Sequence, residues 1–324
     1  MDSDSLIQVE RLSRRYGPLC AVDDISFEVR RGEVLGFLGP NGAGKSTTMQ
    51  ILSGNLAPSA GSVRITGKDI LDDPEGAKAA LGYLPEQPPL YRELTVDEYL
   101  AYCARLNRIP REQRRAAVER AKERCGLGEV GRRLIGNLSK GYQQRTGIAQ
   151  AIIHSPAVVI LDEPTVGLDP IQIREIRALI RELGGEHSVI LSTHILPEVQ
   201  AVCDRVQIIH RGRLVFSDSI ENLARHQPVS SLCAGFRSPP PAAELARLPG
   251  VQAVEELGAG RVRLRFDPAG DITETLLGAA LAAGWQLYEL APERKSLEQI
   301  FVDITSRDVA GAETAGAETH GEAA

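Results

Sequence analysis

The sequence has 324 residues, 43% of them hydrophobic and 25% charged, with a formal net charge of −6. That length suits one large domain with a small companion, and the composition can fill a core. A net negative chain carries no broad basic field, which argues against nucleic acid as a partner. Five cysteines, at 20, 103, 125, 203 and 233, are scattered and never form a C-x-x-C pair. They suggest neither a disulfide framework nor a zinc site. The opening Met1-Asp2-Ser3-Asp4 is acidic and is not read as a signal peptide. No apolar run approaches the roughly 18 residues of a membrane helix.

In chain order, residues 6–66 read as β-rich. Residues 24–30 alternate, with Ile25, Phe27 and Val29 on one face, as in a half-buried strand. Residues 34–38 are a short apolar run that ends in a Gly-rich turn, and a helical pattern follows over 45–52. Residues 95–154 are mostly helical, opening with Thr95 and Glu98 in capping-box spacing. Residues 110–124 form a charged, exposed helix. Residues 157–161 are a continuous apolar run, as in a strand covered on both faces. Pro170 opens a helix over 170–183. Another buried strand at 188–192 and a short helix at 195–202 follow. This alternation implies an α/β fold around a parallel sheet.

Pro239-Pro240-Pro241 punctuates the chain. Beyond it, residues 261–266 alternate Arg with Val262, Leu264 and Phe266, a strand signal. Asp271 and Glu274 mark a helix start. The order over 230–290 is β-α-β-β-α-β, then a helix over 296–305, which is a ferredoxin-like order. Residues Gly311-Ala-Glu-Thr recur at Gly316 in a tail expected to be disordered. The Arg261, Arg263 and Arg265 stripe is read as a solvated strand face.

Three motifs carry chemistry. Gly39-Pro40-Asn41-Gly42-Ala43-Gly44-Lys45-Ser46-Thr47 fits G-x-x-x-x-G-K-[ST]. Gly39, Gly42 and Gly44 let backbone N–H groups of the loop, those of Asn41 and Thr47 included, turn toward phosphate oxygens at a helix N-terminus. Lys45 would reach the β- and γ-phosphates of ATP, and the Ser46 hydroxyl would ligate Mg2+. In Val158-Val-Ile-Leu161-Asp162-Glu163 a strand delivers two carboxylates at its C-terminal end, where ligands of such sheets sit. Asp162 would hold the metal and Glu163 would polarise a water. Ser139 in Leu138-Ser139-Lys140-Gly141-Tyr142 is placed to cap a helix.

The last segment resembles the signature of ABC ATPases, with Lys140 and Tyr142 departing from its commonest form. The remaining elements of that family follow in order. Tyr16 stands where the family stacks a ring on adenine, and Asp169 in the loop that communicates between paired subunits. His194 matches the histidine that contacts the γ-phosphate. The glutamine loop reads Gly82-Tyr83-Leu84-Pro85-Glu86-Gln87, so Glu86 takes the glutamine position, as a ligand for nucleotide-bound metal, with Gln87 beside it. Which of the two acts there stays open. Both departures are shared with exporter subunits similar to gliding-motility, sodium-export and drug-export ATPases.

The resemblance implies a P-loop ABC ATPase domain over residues 6–228, with a mixed sheet, an antiparallel β part and a helical subdomain at about 92–150. A small α+β accessory domain would follow at 229–305, then the tail at 306–324. It implies an ATP hydrolase in which Glu163, His194 and Lys45 are catalytic, and Asp162, Ser46 and Glu86 hold the metal. Ser139 and Gly141 would face the ATP of a second copy, giving a dimer. An ABC-2 type membrane permease would dock beside residues 86–94, where Pro88, Pro89, Leu90 and Tyr91 are apolar, holding the subunit on the inner face of the cell membrane. The alternative class, soluble ABC ATPases acting on nucleic acid or ribosomes, usually carries two ATPase units or long coiled coils. This chain has one motif set and no sustained heptads.

Overall fold

A computed structural model describes residues 5–225, 231–267, 270, 272–293, 297 and 301. The expected tail and nearly all of the expected 296–305 helix lie outside the described residues, as does Asp271. The chain divides into two compact units, Met1–Glu221 and Asn222–Ala324.

The first unit opens with β1 (Ser5–Tyr16) and β2 (Leu19–Arg30), a long antiparallel pair. Ile25, Phe27 and Val29 of β2 point into the core, as their alternation requires. Next come β3 (Val34–Leu38), α1 (Lys45–Leu52), β4 (Ala60–Ile65) and β5 (Lys68–Asp69). The order β2-β1-β4-β5 makes one antiparallel sheet. After α2 (Pro74–Ala79) and β6 (Leu81–Leu84) the chain turns helical.

α3 (Val96–Leu106) begins with the expected capping box: Glu98 N donates to Thr95 Oγ1 at 3.2 Å, and Glu98 Oε2 accepts from Thr95 N at 2.9 Å. α4 (Arg111–Arg124) is less exposed than its charge suggests, since Ala117, Val118 and Ala121 are buried. The aliphatic stem of Lys122 is buried with them while its amine pairs with Asp97 at 2.6 Å. α5 (Lys140–Ile152) completes the helical segment.

β7 (Val158–Asp162), α6 (Pro170–Gly184), β8 (Ser188–Thr193), α7 (Leu196–Val202), β9 (Arg205–His210), β10 (Arg213–Ser219) and α8 (Ile220–Arg225) follow. The second sheet runs β10-β9-β3-β8-β7-β6. Its strands are parallel except β10, which is antiparallel to β9. β3, β7 and β8 are buried at every position, which explains the apolar run at the centre of each. One core joins the two sheets, with Leu12, Ile25 and Ile65 packing with Phe37, Ile160 and Ile190. Phe27 and Phe37 meet with centroids 5.6 Å apart.

The second unit contains β11 (Ser231–Phe236), α9 (Ala242–Leu245), β12 (Val251–Gly258), β13 (Arg261–Phe266), α10 (Thr273–Ala283) and β14 (Leu287–Glu293). That is the element order read from the sequence. The strands form an antiparallel sheet in the order β12-β13-β11-β14. Its own core gathers Leu232, Phe236, Leu264, Phe266 and Leu276. The arginine stripe on β13 is an ion-pair ladder. Arg261 pairs with Glu289 at 2.7 Å, and Arg263 with Glu255 at 3.0 Å and with Glu293. Arg263 holds the Glu293 carboxyl below the usual range. Among the described residues no helix is long and apolar enough to cross a membrane, and all five cysteines are free.

Candidate functional site

Sheet order creates the site. β3, β8 and β7 are neighbours and parallel, so the residues that follow them emerge side by side at one edge. Register places Leu38 beside Thr193, and Asp162 beside Ser192. The loop after β3, the carboxylates ending β7 and the histidine after β8 are thereby brought together from positions far apart in sequence.

The loop after β3 wraps tightly. Gly44 is the N-cap of α1 at φ 107°, and its side is closed by the Ala21 carbonyl oxygen, 2.4 Å from where a Cβ would sit. A Cβ at Gly39 would lie 2.4 Å from the Ile209 oxygen. Neither position accepts a side chain. No side chain caps α1, so its first N–H groups remain available to an anion.

Lys45, the first residue of α1, is 5% exposed. Its Nζ donates to the Gly39 oxygen at 2.9 Å and lies 3.4 Å from Glu163 Oε1. Glu163 is 5% exposed and sits at φ 48°, left-handed for a non-glycine residue. Its N–H donates to the Ser192 oxygen at 2.8 Å, locking the turn onto β8. Both carboxylate oxygens lie 3.0 and 2.9 Å from His194 Nδ1. Nδ1 therefore carries the hydrogen, and Nε2 is the outward ring position.

Asp162 is 2% exposed. Burial pushes its carboxyl above the usual range; the Ser192 and Ser46 hydroxyls and, more weakly, Lys45 oppose that, while the Glu163 charge adds to it. Asp162 Oδ1 is buried without a hydrogen-bond partner.

Lys45, Ser46, Asp162, Glu163 and His194 thus form one connected cluster. Ser139 and Gly141 belong to a second. Ser139 caps α5, accepting from Tyr142 N at 3.4 Å. Gly141 packs so closely on Gln172 that a Cβ would lie 2.6 Å from that side chain. Asp169 caps α6, accepting from Ile171 N and Gln172 N, each at 2.9 Å. Glu86 and Gln87 are both exposed, on the segment after β6. Tyr16 is 43% exposed at the end of β1. The Arg14 guanidinium covers one of its faces, 4.7 Å from the ring centroid, a cation–π contact between residues two apart on β1, a spacing that could have signalled it. The Ser192 contribution beside Asp162 was hidden, because a serine inside a buried strand has no motif.

The family of ABC transporters matches residues 22–166. The daunorubicin resistance ATP-binding protein DrrA3 of Streptomyces coeruleorubidus is 32% identical over 314 residues, which is 94% of this chain and 98% of that protein. The chain belongs to the ABC transporter ATP-binding family. The bacitracin transport ATP-binding protein BcrA of Bacillus licheniformis is 37% identical over 223 residues, 68% of this chain and 72% of the relative. Among solved structures, cbiO1 from Clostridium perfringens, part of the ABC transporter complex cbiONQ, matches with TM-score 0.63 and 30% identity. That match covers 69% of this chain and 92% of cbiO1. As an ABC ATP-binding subunit, this chain binds ATP and hydrolyses it.

Proposed function

We propose that this ABC subunit powers export through a separate ABC-2 type membrane permease, on whose cytoplasmic side it docks, and that hydrolysis runs through Glu163. The observation that carries the catalytic reading is the Glu163 carboxylate held between Lys45 Nζ and His194 Nδ1. A buried carboxylate in that setting accepts a proton from a water attacking the γ-phosphorus, while Lys45 and the N–H groups of residues 39–47 hold the phosphates. His194 orients Glu163 through Nδ1 and presents Nε2 to the γ-phosphate. Tyr16 offers an exposed ring to adenine.

The residues fit Mg2+. Asp162 Oδ1 is buried and unpartnered, the Ser46 hydroxyl lies beside that carboxylate, and hard oxygen donors are what the ion takes. Glu86 would supply a further oxygen. The ion would neutralise phosphate charge as the bond to the γ-phosphoryl group breaks.

Ser139, Gly141 and Asp169 serve the ATP of a second copy, so that two chains close on two nucleotides. Cleavage of each γ-phosphate then removes charge-assisted contacts from the interface and opens it. For the permease, the support is an open cleft of about 790 Å³ whose tyrosines Tyr83, Tyr91, Tyr99 and Tyr102 stand beside polar Gln50, Asn55, Lys78 and His154. A mixed cleft rich in tyrosine on an exposed surface suits a partner segment. The relatives named for bacitracin transport and daunorubicin resistance favour export as the direction.

Glu163→Gln keeps the shape of the site and removes the base. It is expected to abolish turnover while ATP stays bound and a dimer accumulates, read by phosphate release and light scattering with ATP. Undiminished hydrolysis would take Glu163 out of this role.

A further inference from the structure

Glu198 lies on α7, apart from every motif read in the sequence, and is 1% exposed. A carboxylate that deep in a fold must be fully partnered. One oxygen accepts from Thr165 Oγ1 at 2.5 Å and the other from Thr193 Oγ1 at 3.0 Å. Arg177 of α6 approaches Glu198 Oε1 at 3.8 Å. Both threonines are themselves buried, at 2% and 0% exposure. Thr165 stands two residues after Glu163, and Thr193 directly precedes His194.

The hydroxyl of Thr193 has a second duty. It accepts from Ile195 N at 3.1 Å, closing a small turn around His194. A hydroxyl donates one hydrogen. Donating it to Glu198 leaves its lone pairs for Ile195, so the carboxylate fixes which way the hydroxyl points. The same carboxylate clamps the turn in which Glu163 is held at φ 48°. One side chain therefore ties the turn after β7 to the turn after β8.

We infer that Glu198 is a positioning residue: through Thr165 and Thr193 it fixes the two turns that present Glu163 and His194 to each other. Its tie to Arg177 links this bracket to α6, the helix that Asp169 caps. The inference rests on the assignment of Glu163 and His194 to hydrolysis. It adds a residue that touches neither nucleotide nor water.

The test uses the full chain and pairs Thr165→Val and Thr193→Val with Thr165→Ser and Thr193→Ser. Valine keeps the shape and loses the hydroxyl; serine keeps the hydroxyl and loses the methyl group. Both valine variants, and Glu198→Ala, are expected to lower kcat by about tenfold to a hundredfold, the scale of a small misplacement of reacting groups. Nucleotide Kd, read with a fluorescent ATP analogue, is expected to stay within about twofold of the parent, since those contacts are untouched. The serine variants are expected to keep kcat. A role in packing alone predicts the reverse, with serine losing and valine retaining activity, and that pattern overturns the inference. So does an unchanged kcat in the valine variants, or a parallel loss of kcat and nucleotide affinity. If Thr193→Val does not fold, Thr165→Val decides, because it leaves the Ile195 N–H paired. Glu163→Gln run alongside separates the two readings. Turnover retained there removes the catalytic assignment and this inference with it. Turnover lost there but kept in the valine variants removes this inference alone.

Discussion

Glu163 sits at φ 48°, a region that costs a non-glycine residue on the order of 1–3 kcal/mol. The surroundings hold it there through the Ser192 oxygen on its N–H, and through Lys45 and His194 on its carboxylate. Its neighbour Asp162 faces the opposite demand. Burial raises its carboxyl, so the folded chain holds that proton more tightly than the unfolded chain does. The unfolded state then releases its proton first, and stability is lost as pH rises from the ordinary aspartate value of 3.8 through the raised one. Without a divalent ion, Asp162→Asn is expected to flatten this part of the curve of stability against pH, measured by denaturant midpoints. If Asp162 holds Mg2+ as proposed, it does so only when ionised, and with Mg2+ present nucleotide binding is expected to strengthen over the same rise in the parent and not in the variant.

At the scale of elements, several ends are set by one side chain. Asp169 makes two hydrogen bonds to the first turn of α6, and Pro170 begins the helix with φ already suited to it. Asp169→Ala is expected to cost about 0.5–2 kcal/mol of stability through loss of the cap, measured by urea denaturation. It should also weaken ATP-driven dimerisation, if the same loop serves the second copy as proposed. The capping box at Thr95 and the cap at Ser139 were legible, because a cap lies within three residues of what it caps; the Asp169 cap, equally local, emerged only in the structure. The buried strands, read as apolar runs at 157–161 and 188–192 and found at Val158–Asp162 and Ser188–Thr193, were legible because both faces are covered. α10 starts at Thr273 with Ile272 as its N-cap and no side-chain cap bond, and Glu274, read as part of the helix start, falls in its first turn.

At the scale of the whole molecule, the chain carries two cores in two units. Phe236 is 2% exposed in the second and meets Trp285 edge-on at 6.0 Å. Phe236→Ala is expected to destabilise that unit by about 3–5 kcal/mol. ATP affinity should remain, because every residue of the candidate site lies in the first unit. Calorimetry and nucleotide titration on the same sample check both parts.

The sequence by itself determined the phosphate loop, the paired carboxylates, the caps at Thr95 and Ser139 and the element order beyond the proline run. These depend on spacing within a few residues, where geometry follows directly from the local pattern. It could place Lys45, Glu163 and His194 in one site only through resemblance to a family, since no periodicity encodes the distance between positions 45, 163 and 194. The tertiary structure decided that. The order β3-β8-β7 puts three strand ends side by side, and parallel pairing fixes their register. Only there do Ser192 face Asp162 and Glu198 bridge two turns. These contacts join separate strands and helices, and no local pattern in the sequence encodes them.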